Sequence, residues 1–123
     1  MADARLPDGS RVNVVVAPLA VDGTVVTIRR FANRPVPLER FGDATLVDLL
    51  GHLVEERASM LVVGGTAAGK TTLLNALATL LDPDERLVTI EDTAELRIPG
   101  RHVVRLEARP ANSEGIGVVT LRD

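Results

Sequence analysis

The chain has 123 residues, a net charge of −3, 46% apolar and 25% charged residues, the balance of an ordinary globular core of modest size. With no cysteine it has neither a disulfide framework nor a thiolate metal site, and with two Phe, no Trp and no Tyr it offers no base-stacking surface. No apolar run approaches the ~20 residues that span a bilayer, no basic stretch argues for nucleic acid, and Met1-Ala2-Asp3-Ala4-Arg5 lacks the apolar segment of a secretory signal; a cytosolic protein is expected.

Residues 4–30 read as all-β. Leu6-Pro7-Asp8-Gly9-Ser10 is turn chemistry, Arg11 to Val16 alternates as a strand, Asp22-Gly23 turns the chain, and Thr24 to Arg30 is a second strand. The result is a small meander, too small for a core of its own. Residues 31–44 hold Pro35 and Pro37 with little period, the signature of a domain boundary. The expected organisation is a β-rich segment over 1–34, a linker over 35–44 and a second domain over 45–123.

Thr45-Leu46-Val47-Asp48 fits a capping box and predicts a helix through about Ala58. Leu46, Leu49, Leu50, Leu53 and Val54 make its buried stripe, Glu55, Glu56 and Arg57 its solvated face, and His52 a helix-surface or packing residue. Met60-Leu61-Val62-Val63 is a short apolar run bounded by glycine and predicts a buried strand.

Next comes Gly64-Gly65-Thr66-Ala67-Ala68-Gly69-Lys70-Thr71-Thr72, which holds the chain's one lysine among 14 basic residues. It fits the G-x-x-x-x-G-K-[ST] pattern of a phosphate-binding loop. Small residues let backbone N–H groups close around phosphate oxygens. The Lys70 ammonium suits the β- and γ-phosphates, and the Thr71 hydroxyl suits Mg²⁺. Leu73, Leu74, Leu77, Ala78 and Leu81 continue with helical spacing, so the loop opens a helix whose N-terminus favours an anion. The competing reading is a structural turn between strand and helix.

Asp82-Pro83-Asp84 is a turn, and Arg86 to Ile90 is a strand that runs into Glu91-Asp92-Thr93-Ala94-Glu95. In open parallel α/β sheets ligands sit at the carboxyl ends of strands. That places Glu91 on the edge that carries the loop, as the candidate carboxylate for water positioning, with Asp92 and Glu95 nearby. The cluster could equally cap a strand and solvate a loop. Val103 to Leu106 is a further strand; with Glu107 it comes nearest to a second metal motif, an apolar strand that ends in a carboxylate, but Arg105 interrupts it. Thr120-Leu121-Arg122-Asp123 repeats the helix-start signature with no helix behind it, from which a truncated sequence is expected.

Four ordered segments carry a resemblance. Residues 61–77 resemble the phosphate loop of secretion and pilus motor ATPases, and Leu87 to Leu96 their acidic "Asp box". Residues 3–13 and 27–31 are similar to the end of the domain that precedes that core, and 102–115 to the segment after the box. The nearest subgroup is the CpaF-type ATPase of tight-adherence (Flp) pili, within the type II/type IV secretion ATPases. The resemblance implies an α/β fold: a partial RecA-like P-loop NTPase core preceded by a small β-rich segment of an N-terminal domain.

It also implies ATP and Mg²⁺ as cofactors, a hexameric ring, inner-membrane platform proteins as partners and a place at the cytoplasmic face of that membrane, with no direct contact to nucleic acid. By match to the motif, Gly64, Gly65, Thr66, Ala67, Ala68, Gly69, Lys70, Thr71 and Thr72 would hold nucleotide, with Lys70 on the phosphates. Thr71 and Asp92 would serve the metal, and Glu91 would act on the attacking water. Arg29 and Arg30 of the preceding domain would reach the phosphates. Many members have Gly-Ser where this chain has Ala67-Ala68. A left-handed backbone at position 67 would cost alanine about 1–2 kcal/mol. The function implied is the ATP-binding portion of a motor that moves pilin or protein, with weak or no turnover from these residues alone. The alternatives are a nucleotide-binding or oligomerisation protein that does not hydrolyse, and a DNA-transfer motor of the conjugation type.

Overall fold

The computed structural model describes residues 1–30, 36–111 and 115–123. The chain divides into two compact units, Met1–Asn33 and Arg34–Asp123.

The first unit is an antiparallel meander of β1 (Ala2–Arg5), β2 (Arg11–Val15) and β3 (Val25–Arg29), with β2 central. Alternating valines make β2 and β3 pair with Val12 opposite Ile28 and Val14 opposite Val26. β1, which the pattern reading passed over, pairs Asp3 with Asn13, and the Asn13 side-chain amide donates to the Asp3 carboxylate at 3.0 Å. The turn between them closes through Leu6 N–H to Ser10 O and Gly9 N–H to Leu6 O, each 2.8 Å. Gly9 supplies the left-handed corner at φ 87°. Ser10 is buried and its N–H donates to the Asp8 carboxylate at 2.9 Å. That bond, then the Ser10 hydroxyl and the charge of Arg30, hold the Asp8 carboxyl below the ordinary aspartate value.

The second unit mixes helices with a parallel strand pair. A single 3-10 turn (Leu38–Arg40) leads into α1 (Ala44–Glu55), α2 (Lys70–Ala78), β4 (Leu87–Glu91) and β5 (Val103–Glu107). Its core is Leu38, Val54, Ala76 and Leu77, with Phe41, Val47, Leu50, Leu73 and Leu81 packed around it. Among the described residues no helix is long and apolar enough to cross a membrane.

Four sequence expectations are corrected here. The cap of α1 is Asp43, not Thr45: Asp43 is extended (ψ 175°) and its carboxylate accepts from Leu46 N–H at 3.0 Å, which leaves Thr45 inside the first turn. The helix stops at Glu55 because Arg57 turns left-handed (φ 54°), and Ala58 N–H reaches back to Leu53 O at 2.9 Å. Its stripe is also rotated. Val47, Leu50 and Val54 meet the core, whereas Leu49 is 53% exposed and Leu46 lies open beside it.

The fourth correction is the run Met60–Val63. It pairs with no strand among the described residues, and Leu61 and Val63 are 87% and 77% exposed. An apolar run becomes a strand only when a neighbour takes its N–H and C=O groups, and β4 pairs with β5 instead.

That parallel pair sets Leu87 opposite Val103 and Glu91 opposite Glu107, so both strands end on a glutamate at one edge. Leu87 N–H to His102 O (3.0 Å) and Ala108 N–H to Glu91 O (2.9 Å) extend the ladder at its ends. At the last residues, Thr120 N–H donates to the Asp123 carboxylate at 2.6 Å. The capping-box bond therefore forms around a turn.

Candidate functional site

Small side chains decide the path from Gly64 to Lys70. Ala67 sits at φ 60° and Gly69 at φ 90°, so the backbone turns left-handed twice within three residues. A Cβ on Gly64 would stand 3.2 Å from the Ala68 Cβ, which leaves no easy room for a larger residue. Gly69 is the N-cap of α2 and no side chain caps that helix end. The helix therefore presents N–H groups and the positive end of its dipole toward the loop.

Lys70 is the first residue of α2 and bends back. Its ammonium donates to Gly64 O at 2.9 Å and to Gly65 O at 2.7 Å. The one mobile cation of the loop is thus parked on the loop's own carbonyls. Thr66, Ala67 and Ala68 are exposed, while Thr71 and Thr72 are half-buried on the first turn of the helix.

The acidic segment comes to the same helix. The Thr71 hydroxyl donates to Glu95 Oε2 at 3.4 Å. Glu91 Oε2 accepts from Glu95 N–H at 2.8 Å and from Leu96 N–H at 2.9 Å, while Glu91 Oε1 is buried with no hydrogen-bond partner among the described residues. Two further side chains hold the segment: Glu107 Oε1 accepts from Ala94 N–H (3.1 Å) and Asn75 Oδ1 from Arg97 N–H (2.7 Å). Sequence reasoning passes over Asn75 and meets Glu107 only as the end of the run Val103 to Glu107, which Arg105 interrupts. Only the register of Glu107 opposite Glu91, itself a product of pairing, would have pointed to its role.

The expected residues therefore divide. Lys70, Thr71, Glu91 and Glu95 come together around the start of α2. Asp92 is exposed, and the Thr71 hydroxyl meets Glu95 instead. Arg29 and Arg30 are exposed in the other unit, Arg29 at the end of β3. His52 is an exposed residue of α1. Among the described residues no group of three or more His, Cys, Asp or Glu forms a metal cage. A metal here would lean on the Thr71 hydroxyl and on groups brought by a ligand, as Mg²⁺ commonly does. An apolar groove of about 460 Å³ lies elsewhere in the unit, lined by Val54, Leu77, Leu81, Thr89, Leu96 and Ile98 among others, and takes in none of the loop.

Known proteins share this chain's pattern. The family model described as "Type II/IV secretion system protein" matches residues 1–120. An uncharacterized protein of Methanocaldococcus jannaschii is 45% identical over 121 residues, covering 90% of this chain and 17% of that protein. A protein of Mycobacterium tuberculosis named for conjugal transfer is 43% identical over 117 residues, covering 91% of this chain and 33% of that protein. VirB11 of Agrobacterium fabrum is 34% identical over 147 residues, covering 94% of this chain and 42% of that protein. The chain thus spans less than half the length of these curated relatives. The match over residues 1–120 places the chain in the type II/IV secretion system protein family.

Proposed function

We propose that residues 64–72 cradle the phosphates of ATP, with Mg²⁺ at Thr71, and that the chain is the nucleotide-binding portion of a secretion motor ATPase. The observation that carries this reading is the loop itself. Two left-handed residues, an uncapped helix N-terminus and a lysine that bends over the loop are gathered in one place. Such a concavity of N–H groups fits a polyphosphate.

When bound, Mg²⁺ would offset phosphate charge. The protein's own residues do the rest. The Lys70 ammonium leaves the carbonyls of Gly64 and Gly65 and moves to the terminal phosphates. The Thr71 hydroxyl would hold Mg²⁺ through its oxygen while its O–H donates to the Glu95 carboxylate, so Glu95 would support the metal site through Thr71. Glu91 uses one oxygen to hold the segment. Its unpartnered Oε1 is the acceptor left to orient a water.

The wider reading is export of pilin or protein by a hexameric ring on a membrane platform, with the Flp-pilus subgroup favoured by the four ordered segments. A second reading, a DNA-transfer motor, is favoured by the relative named for conjugal transfer at 43% identity. Stimulation of the longer protein's ATP turnover by single-stranded DNA would select the second reading.

The loop assignment is tested with a fluorescent ATP analogue. Lys70→Ala should weaken binding about 100-fold, as expected for loss of a charge-assisted contact worth roughly 3 kcal/mol. Equal affinity in the variant would remove the assignment.

A further inference from the structure

Four consecutive amides, those of Ala94, Glu95, Leu96 and Arg97, are each taken by a side chain rather than by a backbone ladder. The acceptors come from two directions. Glu91 and Glu107 are register partners at the ends of β4 and β5. Asn75 lies on α2, four residues beyond Thr71, hence on the same helix face.

The spacing explains how one helix face serves two points of the segment. Four residues are just over one helical turn and rise about 6 Å, so Thr71 and Asn75 stand one above the other on one face of α2. Thr71 can therefore meet Glu95 while Asn75 meets Arg97, two residues on. Asparagine is a poor choice inside a helix on propensity alone, by several tenths of a kcal/mol against alanine. The bond to Arg97 is what the residue returns for that cost.

We propose that Asn75 and Glu107 are positioning residues: they fix residues 94–97 against α2 so that the Glu95 carboxylate is held on the Thr71 hydroxyl. The proposal rests on reading residues 64–72 as a nucleotide loop, and it makes the hydroxyl's orientation depend on two side chains that touch neither phosphate nor metal. Removing either acceptor leaves the loop intact and releases the partner of Thr71.

The test uses the 123-residue chain, amide hydrogen exchange, and the affinity for a fluorescent ATP analogue in Mg²⁺ and in EDTA. Wild-type amides 94–97 should be protected without nucleotide. Asn75→Ala should speed exchange at Arg97, and Glu107→Ala at Ala94, roughly tenfold. Each should cut the gain in affinity that Mg²⁺ confers by roughly tenfold, the usual effect of losing an outer-shell support, and leave affinity in EDTA unchanged. Asn75→Asp and Glu107→Gln keep an acceptor oxygen and should restore both readouts. Equal loss with and without Mg²⁺, or no loss in either, overturns the proposal. If the alanine variants do not fold, the wild-type exchange decides: free-chain rates at 94–97 overturn it. If the wild type does not bind the analogue, the nucleotide reading fails, and the exchange arm still judges the brace separately.

Discussion

The glycine-rich loop and the acidic segment face the same helix and are built in opposite ways. The loop is held by near neighbours: Ala68 N–H to Gly65 O, Leu73 N–H to Gly69 O, and Lys70 back to Gly64 and Gly65. The acidic segment is held by side chains from β4, β5 and α2, some of them 13 and 22 residues away. A loop closed on itself can keep its shape while a ligand enters or leaves. A segment hung from three elements moves when any of them moves. It is therefore the part that ties α2 to the two strands.

The largest test of this contrast is Glu91, which carries two of the four amides. Glu91→Ala should destabilise the chain by about 2–3 kcal/mol, because two N–H groups lose their acceptor. Glu91→Gln retains an acceptor and should cost less than half as much. Urea unfolding of both variants measures the difference. A loss below about 0.5 kcal/mol for Glu91→Ala would mean that the segment does not depend on its side-chain supports.

A smaller effect sharpens the other half. Ala67 holds a left-handed backbone that costs alanine about 1–2 kcal/mol. Glycine would relieve this and lose roughly 0.5–1 kcal/mol to the greater freedom of the unfolded chain. Ala67→Gly should therefore stabilise by about 0.5–1 kcal/mol in a thermal melt, and Ala67→Val should destabilise. A stabilised valine variant would show that the loop does not keep the left-handed corner in solution.

The same contrast explains what could be read from the sequence. The loop was legible because its bonds join residues near in sequence and its residue types are demanded by local geometry. So were the turn at Asp8-Gly9-Ser10, the alternating valines of β2 and the strand that ends at Glu91. The cap of α1 was misplaced by two residues because Asp43 and Thr45 are both capable caps, and only the backbone at Asp43 decides between them. The run Met60–Val63 has the composition of a strand, yet composition carries no record of whether a neighbour is at hand. The roles of Asn75 and Glu107 are illegible for a related reason, although Glu107 itself stands out as the carboxylate that ends an apolar run. Their partners are backbone amides distant in sequence, and a backbone amide leaves no mark in the residue string.

Asp8 supplies the smallest effect and a local counterpart to Glu91. Its carboxylate also holds backbone, but from two residues away, and it is fully exposed. The Ser10 N–H, then the Ser10 hydroxyl and Arg30, lower its proton affinity in the folded chain. A carboxyl whose folded value lies below its unfolded one stabilises the fold above the unfolded value. That contribution is lost as pH falls through the folded value. The meander should accordingly weaken on acidification below the ordinary aspartate range and be indifferent to this group at neutral pH. Asp8→Asn keeps an acceptor for Ser10 N–H and removes the titration, so the variant should lose less stability between neutral and acidic pH. An NMR titration of the Asp8 carboxyl gives the direct measurement. If it titrates at the ordinary aspartate value, the turn is closed by Leu6, Gly9 and Ser10 alone, and local side-chain supports matter less here than distant ones.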